Sequence, residues 1–269
     1  MTDLTIEGDF ERDGAVCVRG LFDAAEMANA AAAVEANMQQ PGELAKVASA
    51  DDGAGFWDDF CSWQRIPLLH EFVSNAKAAE VAGLLMGSRQ VRLYHDHVLV
   101  KEPGTAVRTP WHQDQPYYNV AGSQNASMWC PVDAVPRSYT LEFWAGSHRG
   151  PWYMPRSFRD AQAKWFPDGS LEELPDIDGN PDRYPVVGWE LQPGDAVFFH
   201  MLTVHSSNGL PAGSDRRRVI SVRYLGDDMV HAVRPWRTSP PFTGLAERLP
   251  DGAPMHDETL FPILWERAS

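Results

Sequence analysis

Two hydrophobic patterns divide this chain. The alanine-rich run at 23–38, DAAEMANAAAAVEANM, predicts a helix, and Asp23 stands where an N-cap belongs. A second helix is predicted over about 74–86, SNAKAAEVAGLLM, with Ser74 as its cap and Gly87 just past its end. Beyond it the texture turns to β-branched and aromatic residues. VRLYHDHVLVK (91–101), ASMWCPVDAV (126–135), YTLEFWA (139–145), WELQPGDAVFFHMLTVH (189–205, with QPGD as a turn) and RRRVISVRYL (216–225) read as strands. Residues 149–185, rich in Pro, Asp, Gly and aromatics, predict a long surface excursion that covers a pocket mouth as a lid. Helices first and many short strands afterwards predict a mainly β fold with added helices, an antiparallel sandwich or barrel. With no repeat or low-complexity linker, 1–269 reads as one domain. Its helices fall within about 20–88 and its β core within about 89–230.

Composition narrows the function classes. Hydrophobic residues make up 43% and charged residues 22%, as in ordinary globular chains. The formal charge of −14 argues against a nucleic-acid partner, which needs a basic face. No apolar run reaches the ~18 residues of a membrane span. The acidic start, MTDLTIEGDFERDG, is no secretory signal. Three scattered cysteines, Cys17, Cys61 and Cys130, form neither a disulfide framework nor a CxxC site, which points to a reducing cytoplasm.

The chemistry starts at TPWHQDQPYYN (109–119), where His112 and Asp114 stand two apart. Such a pair can simply hydrogen-bond a loop. In an extended segment, however, residues two apart point the same way and can reach one ion. His205, at the end of a predicted strand, adds a distal histidine. Two histidines and one carboxylate match a facial triad, which leaves the other positions of an octahedral iron(II) for substrate and dioxygen. Further on, Arg216, Arg217 and Arg218 open an apolar strand. Alternation sets Arg216 and Arg218 on one face and Arg217, Val219 and Ser221 on the other. An inward guanidinium needs an anion, and a carboxylate is its bidentate match; outward ones would only be solvated. His95 and His97 flank Asp96 but share a strand face without it, a poor chelate. His97 and Lys101, on that same face, are candidates to line the pocket for substrate or cosubstrate, and Tyr117 and Tyr118 to line a substrate pocket. Gln113 points away from its neighbours and reads as structural. His200 reads as packed.

WHQDQPYY, WAGSHRG, QPGDAVFFHMLTVHSSNG, RRRVISVRYLGDD and FPILWER together resemble the phytanoyl-CoA dioxygenase family, from about residue 8 to 268. That resemblance implies a double-stranded β-helix (jelly-roll, cupin-like) core and a dioxygenase that uses iron(II), 2-oxoglutarate and O2. It implies His112, Asp114 and His205 as iron ligands and an arginine for the distal carboxylate of 2-oxoglutarate. Strand register selects Arg217, whereas counting from His205 selects Arg216; register constrains side-chain direction and loop length does not. Trp129 resembles an aromatic near the cosubstrate, and Thr140 and Ser221 are further candidates to bind its carboxylates. The chain departs from the family at Ser138-Tyr139-Thr140-Leu141, where N-G-x-L is common, and at Ala145, where proline is usual. Neither position is a ligand, so the departures bear on substrate and not on metal.

The expected activity is hydroxylation of a small organic molecule with release of succinate and CO2. The sequence names neither the substrate nor the oligomeric state. A halogenase would need a small residue in place of Asp114, and a zinc hydrolase leaves the arginine unexplained. A cupin-like binding protein without turnover is the remaining alternative.

Overall fold

The computed structural model describes residues 4–49, 55–105, 108–155 and 166–268. A hairpin of β1 (Thr5–Asp9) and β2 (Ala15–Arg19), joined by the short turn α1 (Phe10–Asp13), precedes the long helix α2 (Ala24–Gln39). Asp23 caps α2 in a full capping box: its side chain accepts from the Glu26 amide, and Glu26 returns the bond. Strands β3 (Lys46–Ser49) and β4 (Gly55–Phe60) follow, then helices α3 (Pro67–Val73) and α4 (Ala76–Met86). The cap of α4 is Asn75 and not Ser74, which closes α3 instead. Asn75 offers a short side-chain carbonyl to two amides of the first turn, whereas the Ser74 amide already bonds back to His70.

The remaining strands are β5 (Gln90–Lys101), β6 (Thr109–His112), β7 (Val120–Ala121), β8 (Asn125–Pro131), β9 (Leu141–Trp144), β10 (Val186–Val187), β11 (Ala196–Phe199), β12 (His205–Ser207), β13 (Arg217–Leu225), β14 (Val230–His231) and β15 (Ile263–Glu266), with one helical turn, α5 (Leu245–Arg248), before the last. The major sheet runs β1-β2-β11-β8-β13-β5-β4-β3, and β15 also pairs with β5. The minor sheet runs β10-β9-β12-β6. All pairings among these strands are antiparallel.

This is the double-stranded β-helix that the sequence predicts, with two amendments. The segment 20–88 is not purely helical, because β3 and β4 extend the major sheet past β5. The stretch 189–205 is two strands and not one: β11 ends at Phe199, and a turn over 200–204 carries the chain across to β12 in the other sheet. The QPGD turn before β11 needs its glycine, since Gly194 has φ +104° and a Cβ there would meet the Phe22 carbonyl oxygen at 2.6 Å.

The major sheet has two differently filled faces. Outside, Val98, Val100, Ile220, Val222, Tyr224 and Phe198 pack under α2, α3 and α4. Inside, Trp129, Val197, Phe199 and Val219 meet Leu141 and Phe143 of the minor sheet. Burying each such side chain contributes roughly 1.5–3 kcal/mol. That rigid double wall fixes the direction of every polar side chain between the sheets. Among the described residues, no helix is long and apolar enough to cross a membrane.

Candidate active site

His112 ends β6 and His205 begins β12, and the two are register partners in the minor sheet. Their rings lie 4.2 Å apart, and His205 is packed against Phe199 at 4.6 Å. His112 Nδ1 bonds the Pro110 carbonyl at 2.8 Å and His205 Nδ1 the Thr203 carbonyl at 2.9 Å. A carbonyl only accepts, so each Nδ1 carries a proton, and Nε2 is the nitrogen each ring has left to offer a metal. Burial, with His112 close by, lowers the His205 pKa to about 3, so this imidazole is neutral near pH 7.

Asp114 joins them by a route other than the expected one. The strand stops at His112, and Asp114 has helical backbone angles (φ −77°, ψ −46°) at the head of a short 3₁₀ turn. Convergence therefore comes from this turn and not from the two-residue repeat of a strand. The turn is clamped: Asp114 N donates to the Met201 carbonyl at 2.8 Å, and the Gln113 side chain bonds Leu202 O, Pro151 O and Tyr153 N. Gln113 is structural, as expected. Asp114 Oδ1 then lies 3.7 Å from His112 Nε2 and 3.8 Å from His205 Nε2. His112, Asp114 and His205 are the group of potential metal ligands found among the described residues, with one ligand atom each, all within 4.8 Å of one another.

Asp114 Oδ2 has partners of its own. Ser127 Oγ donates to it at 3.0 Å, and Arg223 Nε lies 3.1 Å away. Burial works to raise the Asp114 pKa, but Arg223 first, then His205 and His112, hold it well below the ordinary carboxylate value. Two imidazoles, each tied to a carbonyl through Nδ1, and one ionised carboxylate form the donor set of a facial iron site, and the residues present fit that metal.

Further along the inner face lie two buried cationic side chains, Arg217 and Lys101. Arg217, only 6% exposed, donates to the Tyr139 carbonyl and stands over the Trp129 ring at 5.5 Å. Among the described residues it makes no ion pair, its Nε has no hydrogen-bond partner, and burial brings its pKa down to about 10. Lys101, its register partner on β5, is 2% exposed and bonds Thr109, Ser207 and Asn208. Burial first, then Arg217, lower the Lys101 pKa to about 6. The buried hydroxyl of Thr140, next in sequence to Tyr139, is likewise unpartnered.

Other candidates sort by register. Arg216 is the correction: it points outward and pairs with Glu35 and Glu102 at 2.9 Å each, because β13 alternates strictly from Arg217. Ser221 lies inside but donates to the Met128 carbonyl and accepts from Arg223. His97 faces Ser221 in register, stacks on Phe60 at 3.7 Å, and keeps its buried Nε2 unpartnered. Tyr117 stands edge-on to His112 at 6.2 Å and to Phe166 at 5.8 Å. Tyr118 lies beneath the site, with its hydroxyl accepting from Arg223 Nε at 3.1 Å. His200 is packed, bonding Ser123 O and Leu202 N. Sequence reasoning missed Arg223 and Ser127. The signal for Arg223 was present, since alternation from Arg217 through Val219 and Ser221 lands on it.

Known proteins share this fold. The protein is 27% identical over 178 residues to a probable phytanoyl-CoA dioxygenase of Caenorhabditis elegans, covering 62% of this chain and 54% of that protein. The chain thus spans about half the length of that curated relative. Among solved structures, the epimerase SnoN in complex with Fe3+, alpha ketoglutarate and nogalamycin RO superposes with a TM-score of 0.74 at 23% identity, over 95% of this chain and 96% of that one. EctD from S. alaskensis with 2-oxoglutarate and 5-hydroxyectoine gives 0.66 at 18%, over 94% and 93%. At these identities the likeness establishes the shared fold. The phytanoyl-CoA dioxygenase (PhyH) family model matches residues 10–219, most of the sequence and all of the site up to Val219, and the chain belongs to that family.

Proposed function

We propose that this enzyme hydroxylates a small organic molecule, consuming 2-oxoglutarate and dioxygen and releasing succinate and CO2. One observation carries the reading: Arg217 is buried inside the barrel with no carboxylate partner among the described residues, on the same inner face that reaches the His112–Asp114–His205 cluster. A buried guanidinium without an anion is costly, and a bidentate carboxylate removes that cost.

His112 Nε2, Asp114 Oδ1 and His205 Nε2 would hold iron(II). When bound, the iron couples oxidative decarboxylation of 2-oxoglutarate by dioxygen to oxidation of the substrate. The chain does the rest. Arg217 grips the distal carboxylate of the cosubstrate, with Lys101 beside it and the Thr140 hydroxyl within the same pocket, while Trp129 forms the floor under the guanidinium. In this reading Lys101 serves the cosubstrate and not the substrate. Tyr117 borders His112 on the side where Phe166 and Trp236 continue an aromatic wall, which suits it to orienting substrate. His97 offers a neutral imidazole to the barrel interior, since burial holds its pKa well below the usual value.

Succinate release from 2-oxoglutarate, screened against a metabolite library with iron and with zinc, tests the reading. Iron-dependent release that rises with one compound supports it. No release with any compound, and none uncoupled, favours a binding protein that keeps the triad without turnover. Relatives named as an epimerase and a carbocyclase share this fold, so oxygen from 18O2 should be sought in the product. Its absence would mean oxidation without hydroxylation.

A further inference from the structure

The two oxygens of Asp114 are used differently. Oδ1 faces both imidazole Nε2 atoms at 3.7 and 3.8 Å, whereas Oδ2 is occupied by Ser127 Oγ at 3.0 Å and by Arg223 Nε at 3.1 Å. Arg223 is itself held from the far side. Its Nε is also within 3.1 Å of Tyr118 Oη, and its Nη1 donates to Ser221 Oγ. Arg223 is 5% exposed, Ser127 and Ser221 are fully buried, and Ser127 is the register partner of Arg223 across β8. The donors to Oδ2 therefore come from facing positions on the adjacent strands β8 and β13 of the rigid major sheet, while Asp114 comes from the turn after β6. A carboxylate with one oxygen taken by two fixed donors has a single oxygen left to offer an ion.

We propose that Arg223 is a positioning residue that, with Ser127, holds Asp114 to one-oxygen ligation and so keeps three positions of the metal open. The proposal rests on the reading of His112, Asp114 and His205 as the metal site. With three protein ligand atoms, an octahedral ion keeps room for a chelating 2-oxo acid and one further ligand. A carboxylate free to rotate onto the ion with both oxygens would close one of those positions. Arg223 acts through Asp114 alone and needs no contact with cosubstrate or substrate.

Manganese(II) provides the probe, because the relaxation of water protons reads how many exchangeable waters the bound ion carries. Manganese should bind the wild-type protein and keep three such waters. Arg223→Met should bind the ion yet carry one water fewer, and should bind 2-oxoglutarate to the manganese form at least tenfold more weakly. Ser127→Ala, a small change that leaves the core packed, should move both readouts in the same direction by less. Arg223→Lys, which restores a cation able to donate to Oδ2, should recover most of the water count. If Arg223→Met fails to fold, the Ser127→Ala and Arg223→Lys pair decides. A water count unchanged in Ser127→Ala, or the same in Arg223→Lys as in a folded Arg223→Met, overturns the proposal. Manganese that fails to bind the wild type at all would instead overturn the metal reading beneath it.

Discussion

Strand β13 carries the same kind of contact on both of its faces, with opposite consequences. Outside, Arg218 grips Asp133 through two nitrogens, at 2.6 and 3.0 Å, and shares Glu35 with Arg216. Its side chain is 22% exposed and its pKa is raised, led by the hydrogen bond to Asp133. Inside, Arg223 meets Asp114 at 3.1 Å with both side chains under a tenth exposed, and Arg217 meets no acid among the described residues. The outer pair keeps some access to water, and Arg218 has a second acid in Glu35, so less is lost when one member goes. Inside, each charge relies on a designated partner. The outer face balances its charges within the chain, and the inner face leaves one imbalance for a ligand to fill.

The sharpest way to break this contrast is to remove one acid from each face. Asp133→Ala should cost under about 1 kcal/mol of stability, since Arg218 keeps Glu35 and water. Asp114→Ala strands Arg223 in the core and should cost roughly 3–5 kcal/mol, besides abolishing metal loading. His205→Ala should abolish loading as well, without stranding a charge. Denaturant unfolding and metal analysis of the three variants give the comparison. Full iron loading in Asp114→Ala and His205→Ala would remove the metal site, and equal stability losses for the two aspartates would remove the contrast.

A second test stays on consecutive residues of one strand. Arg217→Ala should raise the dissociation constant for 2-oxoglutarate at least tenfold, losing roughly 2–5 kcal/mol of binding, while Arg216→Ala changes it little. Lysine at 217 should rescue in part, because an ammonium cannot reproduce two parallel hydrogen bonds. Titration of the metal-loaded protein reads the ranking. Equal effects at 216 and 217 would leave the cosubstrate without its anchor.

That ranking was legible in the sequence because the apolar alternation VISV fixes which arginine turns inward. The same alternation reaches Arg223, yet nothing in the sequence shows what an inward arginine touches. Its partner Asp114 lies far away in the chain and arrives through a turn. The approach of His112 and Asp114 was foreseen for the wrong reason. Pleat geometry suggested it, but the Gln113 clamp and the bonds to Met201 create it, and long-range contacts of that kind leave no local pattern. Strands β3 and β4 were missed because they are short: β4 carries Asp58 and Asp59 and owes its place to pairing with β5, and β3 pairs in turn with β4. Asp59 is buried under Asn37 and Ser62, a setting that composition does not announce.

Lys101 adds a smaller effect that depends on pH. Its pKa, about 6, lies below the roughly 10.4 of an unfolded chain. The unfolded state therefore holds the proton more tightly, and stability from this residue declines as pH falls from about 10 toward 6. A docked dianion beside Lys101 and Arg217 favours the ammonium and raises its pKa. Above about pH 6, binding of 2-oxoglutarate should then take up a proton, and affinity should fall as pH rises, by at most tenfold per unit. Calorimetry near pH 8 in buffers of different ionisation enthalpy should show uptake approaching one proton, lost in Lys101→Met. Zero uptake in the wild type would mean that the amine is not part of the anion site.

The smallest effect concerns the excursion over 149–185, part of which, 156–165, lies outside the described residues. Its described end is fastened to the two strands that bear the histidines. Arg108 bonds the Asp178 carboxylate at 2.6 and 3.1 Å and Ser206 at 2.9 Å, and Trp111 Nε1 donates to Asp178 at 3.1 Å. Ser206 and Trp111 are the immediate neighbours of His205 and His112, so opening of this strap would be felt where the ion and substrate sit. The fastening is nonetheless an exposed contact of the outer kind: Asp178 is 56% exposed and Arg108 35%. Asp178→Ala should therefore cost under about 1 kcal/mol, a barely visible change in Tm. Local opening is governed by the same energy, so cleavage within 149–185 should accelerate by up to about fivefold. If the excursion is a lid, iron, 2-oxoglutarate and substrate together should protect the wild type there and narrow the gap between wild type and variant. Identical cleavage with and without ligands, in both proteins, would make the strap a fixed part of the surface.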